Sequence, residues 1–208
     1  MTDTAKRRGR PPRVSREFPD TREALLRCGV DVLTEQGFAS TGLEPLLARA
    51  GVPKGSFYHY FASKEAFGLA VLEVYAAYFA RRLDRHFLDV SLPPLARLAA
   101  FVDGAAAGMA RHGFRRGCLV GNLGQEVSTL PAAFRQRLEA VLQDWQARLE
   151  HLLDEARGSG ELAASADCAA LAAFFWIGWE GAVLRARLVA HENPLRLFHQ
   201  GFVAGLPR

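Results

Sequence analysis

A chain of 208 residues, half of them apolar, holds enough hydrophobic side chain for one substantial core or two modest ones, which excludes a scaffold that depends on staples. Its three cysteines, at positions 28, 118 and 168, form neither a disulfide framework nor the CxxC spacing of a zinc site, and point to a reducing cytosol. The net charge of +4 is carried by the first 13 residues, where Lys6, Arg7, Arg8, Arg10 and Arg13 stand against Asp3 alone; such an arm serves nucleic acid or an acidic surface.

The arm, residues 1–19, is expected to be disordered. No apolar segment follows it as in a signal peptide, and no stretch of ~18 uninterrupted apolar residues occurs later, so neither export nor a membrane span is expected. From residue 20 onward the apolar spacing is near 3.6 with no period-two alternation, which predicts an all-α fold. Asp20 with Glu23 suggests a capping box, and Leu26, Val30 and Leu33 share a face until Gly37 ends the first helix. Thr41 with Glu44 suggests a second box, opening a two-turn helix that Gly51 stops. Pro53 opens a very short third helix, KGSFYHYF, and Ser63 caps a long fourth one, SKEAFGLAVLEVYAAYFARRLDRHFL. Pro93-Pro94 opens the next, RRGCLVGNLGQ forms a glycine-broken junction, Pro131 begins a long helix reaching Gly158, and a last long helix runs from about 167 to 189 before a short one after Pro194. The composition shifts near residue 65 from short polar helices to long Ala/Leu-rich ones. That places a domain boundary inside the long fourth helix, between a small unit at 20–65 and a larger one at 66–208.

The segment TGLEPLLARAGVPKGSFYHYF, 41–61, is a short helix, a Gly turn and a second short helix. This is the helix-turn-helix arrangement, whose second helix presents its N-terminal residues to base edges in the major groove. Phe57 and Phe61 are four apart and belong to the core, whereas Tyr58 and His59 carry polar ends that would need partners if buried. Gly55 and Ser56 are small enough to let the backbone approach a groove, and Lys54, Tyr58 and His59 can reach phosphates.

Residues 20–65, and above all GVPKGSFYHYFASKEA, resemble the N-terminal domain of the TetR family of bacterial transcriptional repressors. The resemblance implies a homodimer on double-stranded operator DNA, with a small-molecule effector held in the larger unit. It places Thr41, Lys54, Gly55, Ser56, Tyr58, His59 and Lys64 at the operator, Ser56 near base edges and the others mainly at phosphates. Pro45 departs from the family's usual polar residue. RGRP at 8–11 matches the core of an AT-hook, so Arg8 and Arg10 are expected to enter an adjacent A·T-rich minor groove.

RHGFRRGCLVGNLGQEVS, 111–128, and FWIGWEGAVLRARL, 175–188, are similar to a subgroup that senses small acyl or electrophilic metabolites such as acrylate. In a more distant member a cysteine matching Cys118 takes part in sensing. Cys118 thus has two readings: a small buried hydrophobe, or an effector-facing thiol whose pKa Arg115 and Arg116 would lower if they point at it. Trp176 and Glu180 share a helical face that either looks into an effector site or packs as core. Glu180, in an apolar run, needs a partner, which Arg115, Arg116 or Arg185 could supply. The family's dimer interface of paired long helices would fall on Leu142, Trp145, Leu149, Leu152, Leu171, Gly178, Ala182 and Leu188.

The six histidines form no HExxH or metal pair, and GxSxG, Walker and Rossmann patterns are lacking, so neither enzyme activity, cofactor nor metal is expected. The expected function is a cytoplasmic, ligand-responsive repressor. Two other readings stand beside it: an electrophile sensor modified at Cys118, and an architectural DNA-binding protein acting through its AT-hook-like arm.

Overall fold

In a computed structural model the described residues, 21–208, form nine α-helices and no strand. The arm with Arg8 and Arg10, and the cap residue Asp20, lie outside them. The order is α1 Thr21–Gln36, α2 Leu43–Ala50, α3 Lys54–Tyr60, α4 Lys64–Phe87, α5 Pro94–Arg111, α6 Leu119–Gln125, α7 Ala132–Gly158, α8 Cys168–Val189 and α9 Asn193–Ala204. The all-α expectation holds, with each predicted helix in its place.

Local chemistry explains most of the boundaries. Gly51 ends α2 in the left-handed region, φ 65°, where its N–H and that of Val52 take the free carbonyls of the last turn. Ser63 caps α4 by accepting the Ala66 N–H at 3.1 Å, and Asp167 caps α8 by accepting that of Ala170 at 3.0 Å. The Thr41 box does not form. Gly42 is the N-cap, with no side-chain cap, and the Thr41 hydroxyl turns inward to donate to the Gly37 carbonyl at 2.6 Å. Pro45 in the first turn packs tightly on Gly42: a Cβ on Gly42 would lie 3.1 Å from Pro45 Cδ, so a larger cap requires the ring to give way slightly.

The first three helices close on Phe57, Phe61 and Phe67, whose rings meet at 5.1–5.5 Å. α1 also crosses the long α4 at Gly29, where a Cβ would stand 2.6 Å from the Phe67 ring. One buried cluster therefore continues from this trihelical unit along α4 into the remaining helices. Between α5 and α7, the buried Arg97 pairs with Glu155 at 2.7 Å and donates to the carbonyls of Leu92 and Phe87, which satisfies a charge the core would otherwise reject.

The stripe expected at a dimer interface divides. Trp145, Leu149 and Leu152 are fully buried inside their own protomer, and Gly178 is filled by the Phe198 ring. What α8 leaves outside is Phe174, Ile177, Leu184 and Leu188, with Gly181 among them, at spacings of three and four. Ile177 and Leu188 are 73% and 70% exposed. Leu197, Gly201 and Ala204 of α9 continue an exposed apolar face of small and aliphatic residues. By length and apolar content alone α8 could cross a membrane, but it buries Phe175, Trp176 and Trp179 against its neighbours in this fold.

Candidate functional site

Two places carry functional side chains: the surface of α3 and a cavity between the trihelical unit and the rest. On α3, Phe57 is fully buried and anchors the helix, which turns Lys54, Gly55, Tyr58 and His59 outward and leaves Ser56 half-buried. Tyr58 is 53% exposed and Gly55 has open space where a Cβ would be. Among the described residues Lys54 pairs only with the exposed Glu44, at 3.5 Å, a contact worth little in water. Tyr60, exposed and packed on His59 with ring centres 5.0 Å apart, joins this surface although the apolar pattern gave no reason to separate it from the core aromatics.

Two expected members of the surface are engaged elsewhere. Thr41 is buried, and its hydroxyl is spent on Gly37. Lys64 donates to the Phe38 carbonyl at 2.8 Å and sits 4.4 Å above the Phe38 ring.

The cavity measures about 840 Å³ and lies among α1, α4, α5, residues 116–118 and α8. Its buried wall is Tyr75, Phe79, Met109, Cys118, Trp179 and Val183, while exposed Arg22, Arg27, Arg81 and Arg111 surround it. Arg82, half-buried, also lines it and makes no ion pair among the described residues.

Of the four residues expected at the effector, Cys118 alone lines this space. Trp176 is buried behind it, donating its indole N–H to the Trp145 carbonyl at 3.0 Å; Trp179, one turn on, is the tryptophan that faces the cavity. Arg115 is exposed and away from the wall. Among the described residues Glu180 has no arginine partner. Arg116 is held by Asp31 at 2.6 Å and Glu35 at 2.9 Å, and Arg185 is exposed.

The Glu180 carboxylate instead lies beside the Cys118 thiol, both adjoining Gly121. Burial pushes Glu180 up to about 7, held back in part by the neighbouring thiol. Burial and the neighbouring carboxylate together hold the Cys118 thiol well above its ordinary range, so the two arginines nearby in sequence do not activate it. Tyr75, also buried, neighbours the same thiol and is likewise raised, first by burial.

The segment bearing Cys118 also grips α1. Beyond the Arg116 pairs, Asn122 Nδ2 donates to the Thr34 carbonyl at 2.8 Å, and Arg187 bridges Asn122 Oδ1 at 2.9 Å and the Glu35 carbonyl at 3.2 Å. Glu126 accepts the backbone N–H groups of Phe38 and Ala39 in the turn leading to α2. None of these long-range partners is visible from local spacing.

Comparison with known proteins agrees with this geometry. Residues 25–71 match the family described as bacterial regulatory proteins, tetR family, and residues 94–202 match the tetracyclin repressor-like C-terminal domain. The transcriptional regulator AcuR of Cereibacter sphaeroides is 55% identical over 94% of this chain and 89% of its own length. The HTH-type transcriptional repressor NemR of Escherichia coli strain K12 is 35% identical over 85% of this chain and 88% of its own. The crystal structure of the regulatory protein TetR from Rhodobacter sphaeroides superposes with a TM-score of 0.88 at 55% identity, covering 89% of this chain and 98% of that one.

Proposed function

The chain belongs to the TetR family of bacterial transcriptional regulators, and from that premise we propose that it is a cytoplasmic homodimer which leaves a palindromic operator when a small acyl or electrophilic metabolite, acrylate-like, enters the cavity beside Cys118. It is a DNA-binding transcriptional repressor and not an enzyme.

One observation carries the effector part of this reading. The residues from 116 to 126 form part of the cavity wall with Cys118 and also hold α1 and the α1–α2 turn through Arg116, Asn122 and Glu126. An effector that shifts this segment shifts the unit carrying α3, so two recognition helices of a dimer lose the spacing of their half-sites. The exposed apolar face of α8 and α9 supports the dimer, because a contiguous patch of that kind marks an interface. Arg82 takes the role of carboxylate clamp that Arg115 is too remote to fill, since it lines the cavity with no acid already paired to it among the described residues.

A second reading, covalent modification at Cys118, is favoured by the position of that sulfur on the cavity wall. Footprinting with purified protein should protect one palindrome; broad A·T-biased coverage would support the architectural alternative instead. Operator release is then measured with acrylate, an acryloyl thioester and N-ethylmaleimide, for wild type and Cys118→Ser. Loss of the response in Cys118→Ser for the electrophiles alone assigns covalent sensing, and an unaltered response to all three removes it.

A further inference from the structure

Cys118 and Glu180 share a niche made by a missing side chain. A Cβ on Gly121 would collide with the Glu180 carboxylate and would lie 3.7 Å from Cys118 Cβ, so glycine at 121 is what lets the α8 carboxylate reach the cysteine. The thiol lies beside that carboxylate, whose Oε1 is buried with no hydrogen-bond partner among the described residues. The Gly121 N–H and the Tyr75 hydroxyl are near the sulfur and favour its anion against that carboxylate. Cys118 faces the cavity and Glu180 stands behind it, off the wall.

We propose that Glu180 is the base that takes the Cys118 proton as the sulfur adds to an electrophile in the cavity, so that the pair and not the cysteine alone is the reactive unit. The inference rests on the reading of Cys118 as the sulfur an electrophile meets, and supplies what that reading lacks. Thiols react as thiolates, and the usual source of a thiolate is a nearby cation. Here Arg116 is committed to Asp31 and Glu35, Arg187 to Asn122 and the Glu35 carbonyl, and Arg115 lies outside. A buried neutral thiol with no base would stay inert near neutral pH. Glu180, brought by burial to about 7, is suited to accept a proton there.

The step balances without an oxidant or co-reactant. The S–H bond breaks toward Glu180 and the S–C bond forms at the β-carbon of an α,β-unsaturated carbonyl. The π pair moves onto the carbonyl oxygen as an enolate, which takes a proton from water at the α-carbon, and the hydroxide so formed takes the proton held by Glu180, restoring the carboxylate. Tyr75 and Gly121 hold the sulfur while it is anionic. Among the described residues, the titratable groups that interact with Glu180 are Cys118, from the segment before α6, and Tyr75 of α4; no charged group of α5, α7 or α9 acts on it.

The test is the rate of N-ethylmaleimide addition to Cys118 in the full chain between pH 5.5 and 9.5, with the adduct assigned by peptide mass, in wild type and Glu180→Gln. Wild type should show an inflection near pH 7, and Glu180→Gln should react about 100-fold more slowly at that pH, the range of general-base assistance, with its inflection moved above 9. Equal pH profiles in the two proteins would overturn the role of Glu180 while leaving Cys118 reactive. Absence of any Cys118 adduct in wild type would overturn the covalent reading itself. Should Glu180→Gln fail to fold, the wild-type profile decides, since a single inflection above 9 is that of an unassisted thiol.

Discussion

The carboxylate of Glu126, just past α6, accepts the backbone N–H of Phe38 at 2.9 Å and of its neighbour Ala39 at 2.8 Å, tying the far end of the effector segment to the turn between α1 and α2. Hydrogen bonds to a charged acceptor contribute more than neutral ones, about 1.5–3 kcal/mol each when shielded and less when exposed. Glu126 is half-buried, so Glu126→Ala should lower the unfolding free energy by about 2 kcal/mol in urea titrations. It should also raise the N-ethylmaleimide concentration needed for operator release without slowing adduct formation. Unchanged release would show that the coupling runs elsewhere.

Removing Lys54 and removing Thr41 should have opposite signatures. Lys54→Ala is expected to weaken operator binding and to reduce the slope of log affinity against log salt by about one, as for a single phosphate contact. Thr41→Val leaves the buried Gly37 carbonyl without its donor and should cost about 1–2 kcal/mol of stability while the salt slope stays unchanged. Salt titrations by fluorescence anisotropy and thermal melts separate the two.

Leu149 and Ile177 separate the interior from the proposed interface in the same way. Leu149→Ala should cost about 2–5 kcal/mol of stability through the cavity it leaves, with the oligomer unchanged at permissive temperature. Ile177→Glu puts a charge on the exposed α8 face; it should keep the helical circular dichroism yet sediment as a monomer and lose tight operator binding. A sedimentation profile identical to wild type would move the interface off α8.

Glu180 gives the pH dependence of stability a definite sign. Its folded pKa is raised from the ordinary 4.5 to about 7, so the folded state binds the extra proton in that window. The group is stability-neutral below pH 4.5 and costs progressively more as pH rises to 7, reaching on the order of 3 kcal/mol above it. Glu180→Gln removes this titration. The stability difference between mutant and wild type, followed in urea from pH 5 to pH 8, should therefore grow in favour of the mutant as pH rises; a constant difference contradicts a raised Glu180.

The fold and the α3 surface were legible because their causes are local. Helix period, the caps at Ser63 and Asp167 and the left-handed turn at Gly51 each act within a few residues. The effector side was less legible, because its partners come from distant helices. Trp145, Leu149 and Leu152 have the spacing of an apolar stripe whether the stripe meets its own protomer or another, and burial by α8 decides for the former. A carboxylate in an apolar run suggests an arginine. That Glu180 meets a thiol follows from the room at Gly121, which only the packing of α6 on α8 reveals. Thr41 has the chemistry of a cap or a phosphate ligand, and the backbone turn at Gly37 takes it for neither.

The chain's tryptophans are Trp145, Trp176 and Trp179, and all three lie in α7 and α8, with Trp145 and Trp176 ring centres 5.1 Å apart and Trp179 on the cavity wall. Tryptophan emission therefore originates wholly in α7 and α8, and the trihelical unit contributes only the weaker emission of tyrosines such as Tyr58 and Tyr60. Entry of a molecule beside Trp179 and the engagement of DNA can be recorded in one cuvette by separate signals, the first from the unlabelled protein and the second from a dye on the DNA.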